Sequence, residues 1–467
     1  YTIADTMIVG KGLGDDPLAA VGNMSSLTFF IIGFSLGLTN GFSVSIAQAY
    51  GAKDGEKLRK TVASSVLLSA AITILLTAVS VIFLRSVLVM LQTSEVIMSD
   101  SLLYGYIIFG GLFSTIAYNL CASILRALGD SKTPFIAIVF STIFNIVFNW
   151  VSIYVLHMGV EGPAIVTIAS QVISAVICYA KLRKIEEIRL AKEYFKGNFR
   201  VYMDLLKNGV PMAIMNSITA VGCMTVQYFV NGMGVAYTSA YSACSKYINL
   251  FMQPACTAGN TMSSFTSQNY GAKEYRRIYE GFKVCMAIAF ITYIVFGSVM
   301  VFFPRFLASL MLNGEQQIEL AMIYLVRSGI MIFAVDFLFV VRNGCQGMGK
   351  PLFPMISGII EMVFRVAVIV IFIDDIGFAA TSYAEIAAWI AALLINSVAF
   401  GVFLHGYMKK SDMLRRLKLN QESFDKIKDA VKEAERNTTG EIALAVTAES
   451  ARYSVYELMY SLIFGLL

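Results

Sequence analysis

Charge is the scarcest commodity in this sequence. Only 14% of its 467 residues are Asp, Glu, Lys or Arg, against about a quarter in soluble domains, which excludes an ordinary water-solvated surface. The two histidines, His157 and His405, stand apart with no partner at ligand spacing, so no metal site is expected. The seven cysteines (Cys121, Cys178, Cys223, Cys244, Cys256, Cys285, Cys345) form no Cys-x-x-Cys pair and lie in apolar surroundings. They read as small buried side chains rather than redox or zinc ligands. No Gly-x-x-x-x-Gly-Lys-Ser/Thr loop is present, so the chain encodes no ATP-driven motor. No Gly-x-Ser-x-Gly or His-Glu-x-x-His pattern argues for an enzyme either. No cofactor and no nucleic-acid partner are expected.

What is there is hydrocarbon. Hydrophobic residues make up 57% of the chain, with a mean hydropathy of +0.70. A helix needs about 20 apolar residues to cross a bilayer core. Eleven such runs occur, near 17–47, 61–91, 101–125, 133–156, 163–182, 210–230, 236–266, 282–312, 318–343, 351–373 and 376–407. Tyr1–Val9 reads as the second half of another, cut open, so twelve spans are expected in the intact protein and the chain reads as a fragment. The connections alternate in charge. One set carries Lys53, Lys57, Arg59 and Lys60, then Arg126 and Lys132, then seven basic residues over Lys181–Arg200. Lys273, Arg276, Arg277 and Lys283, then Arg342 and Lys350, then Lys409, Lys410, Arg415 and Arg416 continue it. By the positive-inside rule this set is cytoplasmic, in a multi-pass protein of the plasma (inner) membrane.

The sequence repeats itself. Gln48-Ala-Tyr-Gly-Ala-Lys-Asp54 returns as Gln268-Asn-Tyr-Gly-Ala-Lys-Glu274, an offset of 220. Arg126-Ala-Leu-Gly129 with Pro134 matches Gln346-Gly-Met-Gly349 with Pro354, Gly12-Leu-Gly14 matches Gly232-Met-Gly234, and Asn40 matches Asn260, all at 220. The copies lie six spans apart. An even number keeps both on one membrane face, so the halves are parallel repeats about an axis normal to the bilayer. The fold expected is therefore all-α and polytopic, two parallel six-helix repeats. Its divisions are 1–182 (first helix incomplete), a linker at 183–203, 204–408, and a cytoplasmic tail at 409–467.

Polar groups within the spans are the candidate sites, since each ionisable group costs at least about 2.5–3.5 kcal/mol to insert. Asp5, nine residues before Gly14, falls about 13 Å inside its span at the helical rise. A carboxyl there can exchange a proton or hold a cation. Asp336 is similarly embedded, with Arg327 and Lys246 as conceivable counter-charges. Glu361 and Arg365 are one turn apart and can neutralise each other. Glu385, one turn from Trp389, is a candidate cavity wall. The amides Asn145, Asn149, Gln171, Gln227 and Asn231 can line a substrate path or glue helices together. Asp374-Asp375 belongs to an external connection and is expected to be solvated.

These motifs resemble the multidrug and toxic compound extrusion (MATE) family of the wider flippase superfamily. The matching elements are Ala4-Asp5-Thr6 through Gly10 and Leu13-Gly14, Gln48-Ala-Tyr-Gly51, Leu125-Arg-Ala-Leu-Gly-Asp130, Gly209-Val-Pro211, Gln268-Asn-Tyr-Gly271 and Gln346-Gly-Met-Gly349. The resemblance covers about residues 1–408 and implies twelve helices exchanging outward- and inward-facing states. It also implies export of cationic or amphipathic organic compounds against H⁺ or Na⁺, by a monomer in the lipid bilayer. Asp5 falls on the family's coupling carboxylate in the first helix, and Asp336 near an acid of the tenth. Asn149 departs from the pattern, standing where many relatives carry an acid. With Asp5 the one clearly embedded acid of the first half, H⁺ is favoured over Na⁺ as the coupling ion.

Two alternatives stay open: a flippase for lipid-linked sugars or precursors, and a membrane receptor or scaffold. Within the tail, Glu433-Ala-Glu435 through Thr439-Gly-Glu441-Ile442 resembles the opening of a TPM domain, with a strand expected over Glu441–Thr447.

Overall fold

The computed structural model describes residues 2–90, 93–196, 198–312 and 314–416, with Lys426 and Ala430; the side chains of 2–7, 15, 26, 235 and 412–416 lie outside that description. The TPM-like segment and its expected strand fall outside the described residues. Every regular element among those described is helical, as an apolar solvent demands: with no water to accept backbone hydrogen bonds, each segment must satisfy its own.

The first repeat comprises α1 (Thr2–Leu13), α2 (Asp15–Gly51), α3 (Gly55–Met90), α4 (Glu95–Gly110), α5 (Leu112–Ala127), α6 (Lys132–Trp150) and α7 (Glu161–Leu182). The second comprises α8 (Phe199–Met233), α9 (Val235–Phe251), α10 (Gln253–Gly271), α11 (Tyr275–Thr292), α12 (Ser298–Phe302), α13 (Pro304–Met311), α14 (Glu315–Gly347), α15 (Leu352–Ile376) and α16 (Ala379–Arg416). π-helical turns extend α6 over Val151–Val155 and join α11 to α12 over Tyr293–Gly297.

Among the described residues nine helices are long and apolar enough to cross a bilayer, ten if α4 and α5, bent by 41°, form one span. The run near 236–266 is the broken pair α9–α10, whose second half carries Asn260, Ser263, Ser264, Ser267 and Gln268 and is too polar to qualify on apolarity. Helices overshoot their apolar runs. α8 starts at Phe199, where the Asn198 side chain caps it by accepting from the Arg200 backbone N–H, eleven residues before the run at 210–230. α3 turns Ile74, Leu75, Ile82 and Phe83 outward, apolar surface that suits lipid. Asp374 and Asp375, at the end of α15, are exposed.

The repeat is written into the backbone. The described residues with positive φ are Gly14, Lys53, Gly129, His157, Gly234, Lys273, Gly349 and Gly377. They form four pairs at the offset of 220, among them His157 with Gly377, whose letters give no hint of kinship. Capping bonds repeat too. Ala52, Lys53 and Asp54 donate to Gln48, Tyr50 and Ala49, and Ala272, Lys273 and Glu274 donate to Gln268, Tyr270 and Asn269.

The two repeats meet chiefly through α2 against α8 and α10. Asn216 donates to the carbonyl of Gly33 at 3.1 Å, Gly37 and Gly41 lie against the backbones of Ala213 and Gly209, and Asn208 donates to Ser45 at 2.9 Å. These contacts run from Gly33 toward the end of the molecule that carries Lys53, Lys273 and Lys350.

Candidate functional site: buried charges and amides within the bundles

Four charges converge inside the second repeat. α15 presents Glu361 and Arg365 on one face, and Arg365 Nη2 donates to Glu361 Oε1 at 3.3 Å and to Glu385 Oε2 of α16 at 2.9 Å. The other Glu361 oxygen accepts from Arg342 Nη2 of α14 at 2.5 Å. Glu361 is 3% exposed, Arg365 2%, and Arg342 and Glu385 7% each. Two acids and two bases cancel, which is how such groups enter a low-dielectric interior at tolerable cost. The guanidinium of Arg365 lies so close to Gly222 of α8 that a Cβ there would stand 2.8 Å from Nη1.

Arg342 corrects an expectation. Counted above with the basic connections, it is instead buried, because α14 continues to Gly347 and keeps it inside the bundle. The signal was present: Arg342 lies within the apolar run 318–343, and helix-ending glycine Gly349 is almost two turns further on. Glu385, expected at a cavity wall beside Trp389, is turned inward to Arg365, and Trp389 is itself 4% exposed. Cys223 also departs from expectation, being exposed on α8.

Asp336 stands alone. It is 0% exposed on α14, and neither carboxylate oxygen has a hydrogen-bond partner among the described residues. Arg327, nine residues away on the same helix, instead places its guanidinium carbon 5.3 Å from the ring centroid of Tyr383 on α16. Lys246 is exposed on α9 and forms no ion pair among the described residues.

In the first repeat the amides gather on α6. Asn145 and Asn149 are 1% and 0% exposed, and Asn149 Nδ2 donates to Asn145 Oδ1 at 3.3 Å. Asp5 lies within α1, and its side chain is outside the described residues. Its level can still be read from the backbone. Gly12 sets α1 against Ile153 and Tyr154 in the π-helical turn that extends α6. The repeat image agrees: Gly222 faces Arg365, and 220 residues earlier these positions are Thr2 and Asn145. Position 5, one turn from Thr2, therefore stands at the height of Asn145 and Asn149. Elsewhere, Gln227 donates to Asn231 at 2.7 Å near the end of α8, and Gln171 is half-buried on α7. The structure thus brings Glu361, Arg365 and Glu385 together, and Asn145 with Asn149, whereas among the described residues Lys246 forms no ion pair with the charged cluster and Gln227 and Asn231 bond to each other.

Comparisons with known proteins agree with this architecture. A family model for MatE matches residues 1–151 and 211–371, one block in each repeat. The probable multidrug resistance protein YoeA of Bacillus subtilis is 28% identical over 326 residues, which span 68% of this chain and 70% of that protein. The probable multidrug resistance protein NorM of Thermotoga maritima is 23% identical over 370 residues, 78% of this chain and 79% of that one. Among solved structures, MATE in the bent conformation superposes with a TM-score of 0.83 at 21% identity, covering 88% of this chain and 92% of that one. An outward-facing multidrug resistance MATE transporter gives 0.82 at 20% identity, with the same coverage. Two parallel helical repeats and a family match spread over both halves lead to one conclusion: the chain belongs to the MATE family of membrane transporters.

Proposed function

We propose that this transporter exports cationic or amphipathic organic compounds from the cell in exchange for protons, with Asp5 and Asp336 as the coupling carboxylates. It acts as a monomer in the plasma membrane, its basic connections facing the cytoplasm, and needs no cofactor beyond the coupling ion. The observation that carries this reading is Asp336, fully buried with both oxygens unpartnered among the described residues. A carboxyl in such surroundings must carry a proton or a cation, and either can be exchanged as the bundle opens. The multidrug resistance of the named relatives supports the substrate class. The neutral cluster around Arg365 holds α14, α15 and α16 together while this exchange proceeds.

The test is counterflow and gradient-driven efflux in proteoliposomes, with a panel of cationic dyes and lipids. A proton gradient is expected to drive dye efflux, and a sodium gradient not to. If neither gradient moves any dye, the antiporter reading fails; lipid movement alone would favour a flippase.

A further inference from the structure

The duplicated Gln-x-Tyr-Gly-Ala-Lys blocks have a role that ion coupling leaves unused. Gln48, in the last turn of α2, reaches into the other repeat, where its Nε2 donates to the carbonyl of Gly347 at 3.0 Å. Gln268, in the last turn of α10, reaches back and donates from Nε2 to the carbonyl of Ala127 at 2.8 Å. The donors are 220 residues apart, and so are the acceptors. Ala127 ends α5 and Gly347 ends α14. The last carbonyls of a helix have no partner within it. The turns that follow satisfy their neighbours: Leu128, Gly129 and Asp130 donate to Ile124, Arg126 and Leu125, and Met348, Gly349 and Lys350 to Gly344, Gln346 and Cys345. Each pattern passes over one carbonyl, that of Ala127 or Gly347, and the opposite repeat's glutamine fills the gap.

Between these two bonds, α2 and α10 cross at backbone contact. A Cβ on Gly51 would overlap the Gln268 backbone, and one on Gly271 would overlap that of Gln48. Backbone cannot swing aside as a side chain can, so the crossing requires glycine on both helices.

We propose that Gln48 and Gln268 form a two-fold latch that holds the basic end of the transporter shut, and that the two bonds break together when that end opens. The proposal rests on the alternating-access reading above, since a permanently closed seam would need no latch. Shutting the end exchanges water for protein on two helix-terminal carbonyls, and opening it returns both to water. A balance between hydrogen bonds of similar strength is easily tipped, as a gate requires. The two-fold arrangement ties the repeats together: α5 cannot leave α10, nor α14 leave α2, without uncapping its own last carbonyl, and each bond crosses from one repeat to the other.

Hydrogen–deuterium exchange of the full chain in nanodiscs, without substrate or gradient, tests this directly. The segments to follow are 48–54, 124–130, 268–274 and 344–350. Gln48→Ala is expected to speed exchange about tenfold in all four, including 124–130, whose last helical carbonyl is bonded by Gln268 rather than by Gln48. Gln268→Ala should do the same, and the double variant should multiply the effects. Gly51→Ala leaves both glutamines intact but forces the crossing apart, and should give the same pattern. Exchange at the opposite end, in Glu95–Ile107, should stay at the wild-type rate in every variant. An increase confined to the acceptor segment of the substituted glutamine would mean two independent caps and would overturn the latch, as would no increase at all. General acceleration, including Glu95–Ile107, would also overturn it, because the glutamines would then hold the fold rather than the gate. The two readings fail separately: exchange is read with no substrate present, so an unchanged pattern would overturn the latch and leave the transport reading standing, whereas absence of driven efflux in the parent would overturn the transport reading alone.

Discussion

Substituting Glu361 by Gln would take away the one carboxylate that Arg342 and Arg365 share. Breaking a buried pair from one side costs about 3–5 kcal/mol, mostly because the surviving charge is left uncompensated. Glu361→Gln should therefore lower the melting temperature in detergent sharply. Replacing both members of the Arg365–Glu385 pair, with Met and Leu, leaves Arg342 and Glu361 matched and should melt near the wild type. Equal melting of Glu361→Gln and the parent would refute the pairing. Asp336 obeys the opposite logic, having no hydrogen-bond partner to lose among the described residues. Asp336→Leu should raise stability by about 1–3 kcal/mol, because a buried polar group is exchanged for an apolar one, and should abolish driven efflux. A lower melting temperature would mean that the carboxyl is bonded after all. Sequence alone exposed both groups, because charge in hydrocarbon is conspicuous. Arg342 was missed beside them, because counting basic residues near span ends ignores how far a helix runs on, although its place inside the apolar run 318–343 and the distance to Gly349 carried that information.

Among the helices, ends matter more than middles. Gly14 and Gly234 end their repeats' first helices with φ 95 and ψ −171, and φ 113 and ψ 171, a region open essentially to glycine alone. Nothing lies within 4 Å of a Cβ built on either residue, so substitution there would be strained in torsion without any clash. Gly234→Ala should cost about 1–3 kcal/mol, read as a lower unfolding midpoint in detergent. A cost near zero would mean that the α8–α9 junction can relax into another turn. The repeat was legible at such positions only where the letters matched. Gly12–Gly14 and Gly232–Gly234 share theirs, whereas His157 and Gly377 share only a backbone sign and became visible as a pair in three dimensions. The bonds from Gln48 and Gln268 were hidden for a different reason. Their motif was plain, but their acceptors are backbone carbonyls, which leave no mark in a sequence.

At the scale of the whole molecule the duplication is faithful in backbone and broken in chemistry. In the 220-residue register Asp5 corresponds to Thr225, Asp336 to Ile116, Arg365 to Asn145 and Glu361 to Ser141. The first repeat fills its core with amides where the second places a neutral ion cluster, so the halves are alike in shape but unlike in what a proton or cation would meet. In the proposed mechanism, coupling confined to the two carboxylates separates two activities that symmetric gating would otherwise merge. Counterflow across a membrane without a gradient needs only alternation between the two faces, whereas gradient-driven efflux also needs a group that gains and loses its ion. Asp5→Asn should therefore keep dye counterflow within about twofold of the parent and lose at least about tenfold of the proton-driven component, which corresponds to roughly 1.4 kcal/mol of coupling. Asp336→Asn should do the same. Thr225→Val and Ile116→Val, at the mirror positions, should alter neither activity. Loss of counterflow in Asp5→Asn would assign the residue to the gate or the substrate path, and an effect at Thr225 would mean that the second repeat shares in coupling through a group other than a carboxylate.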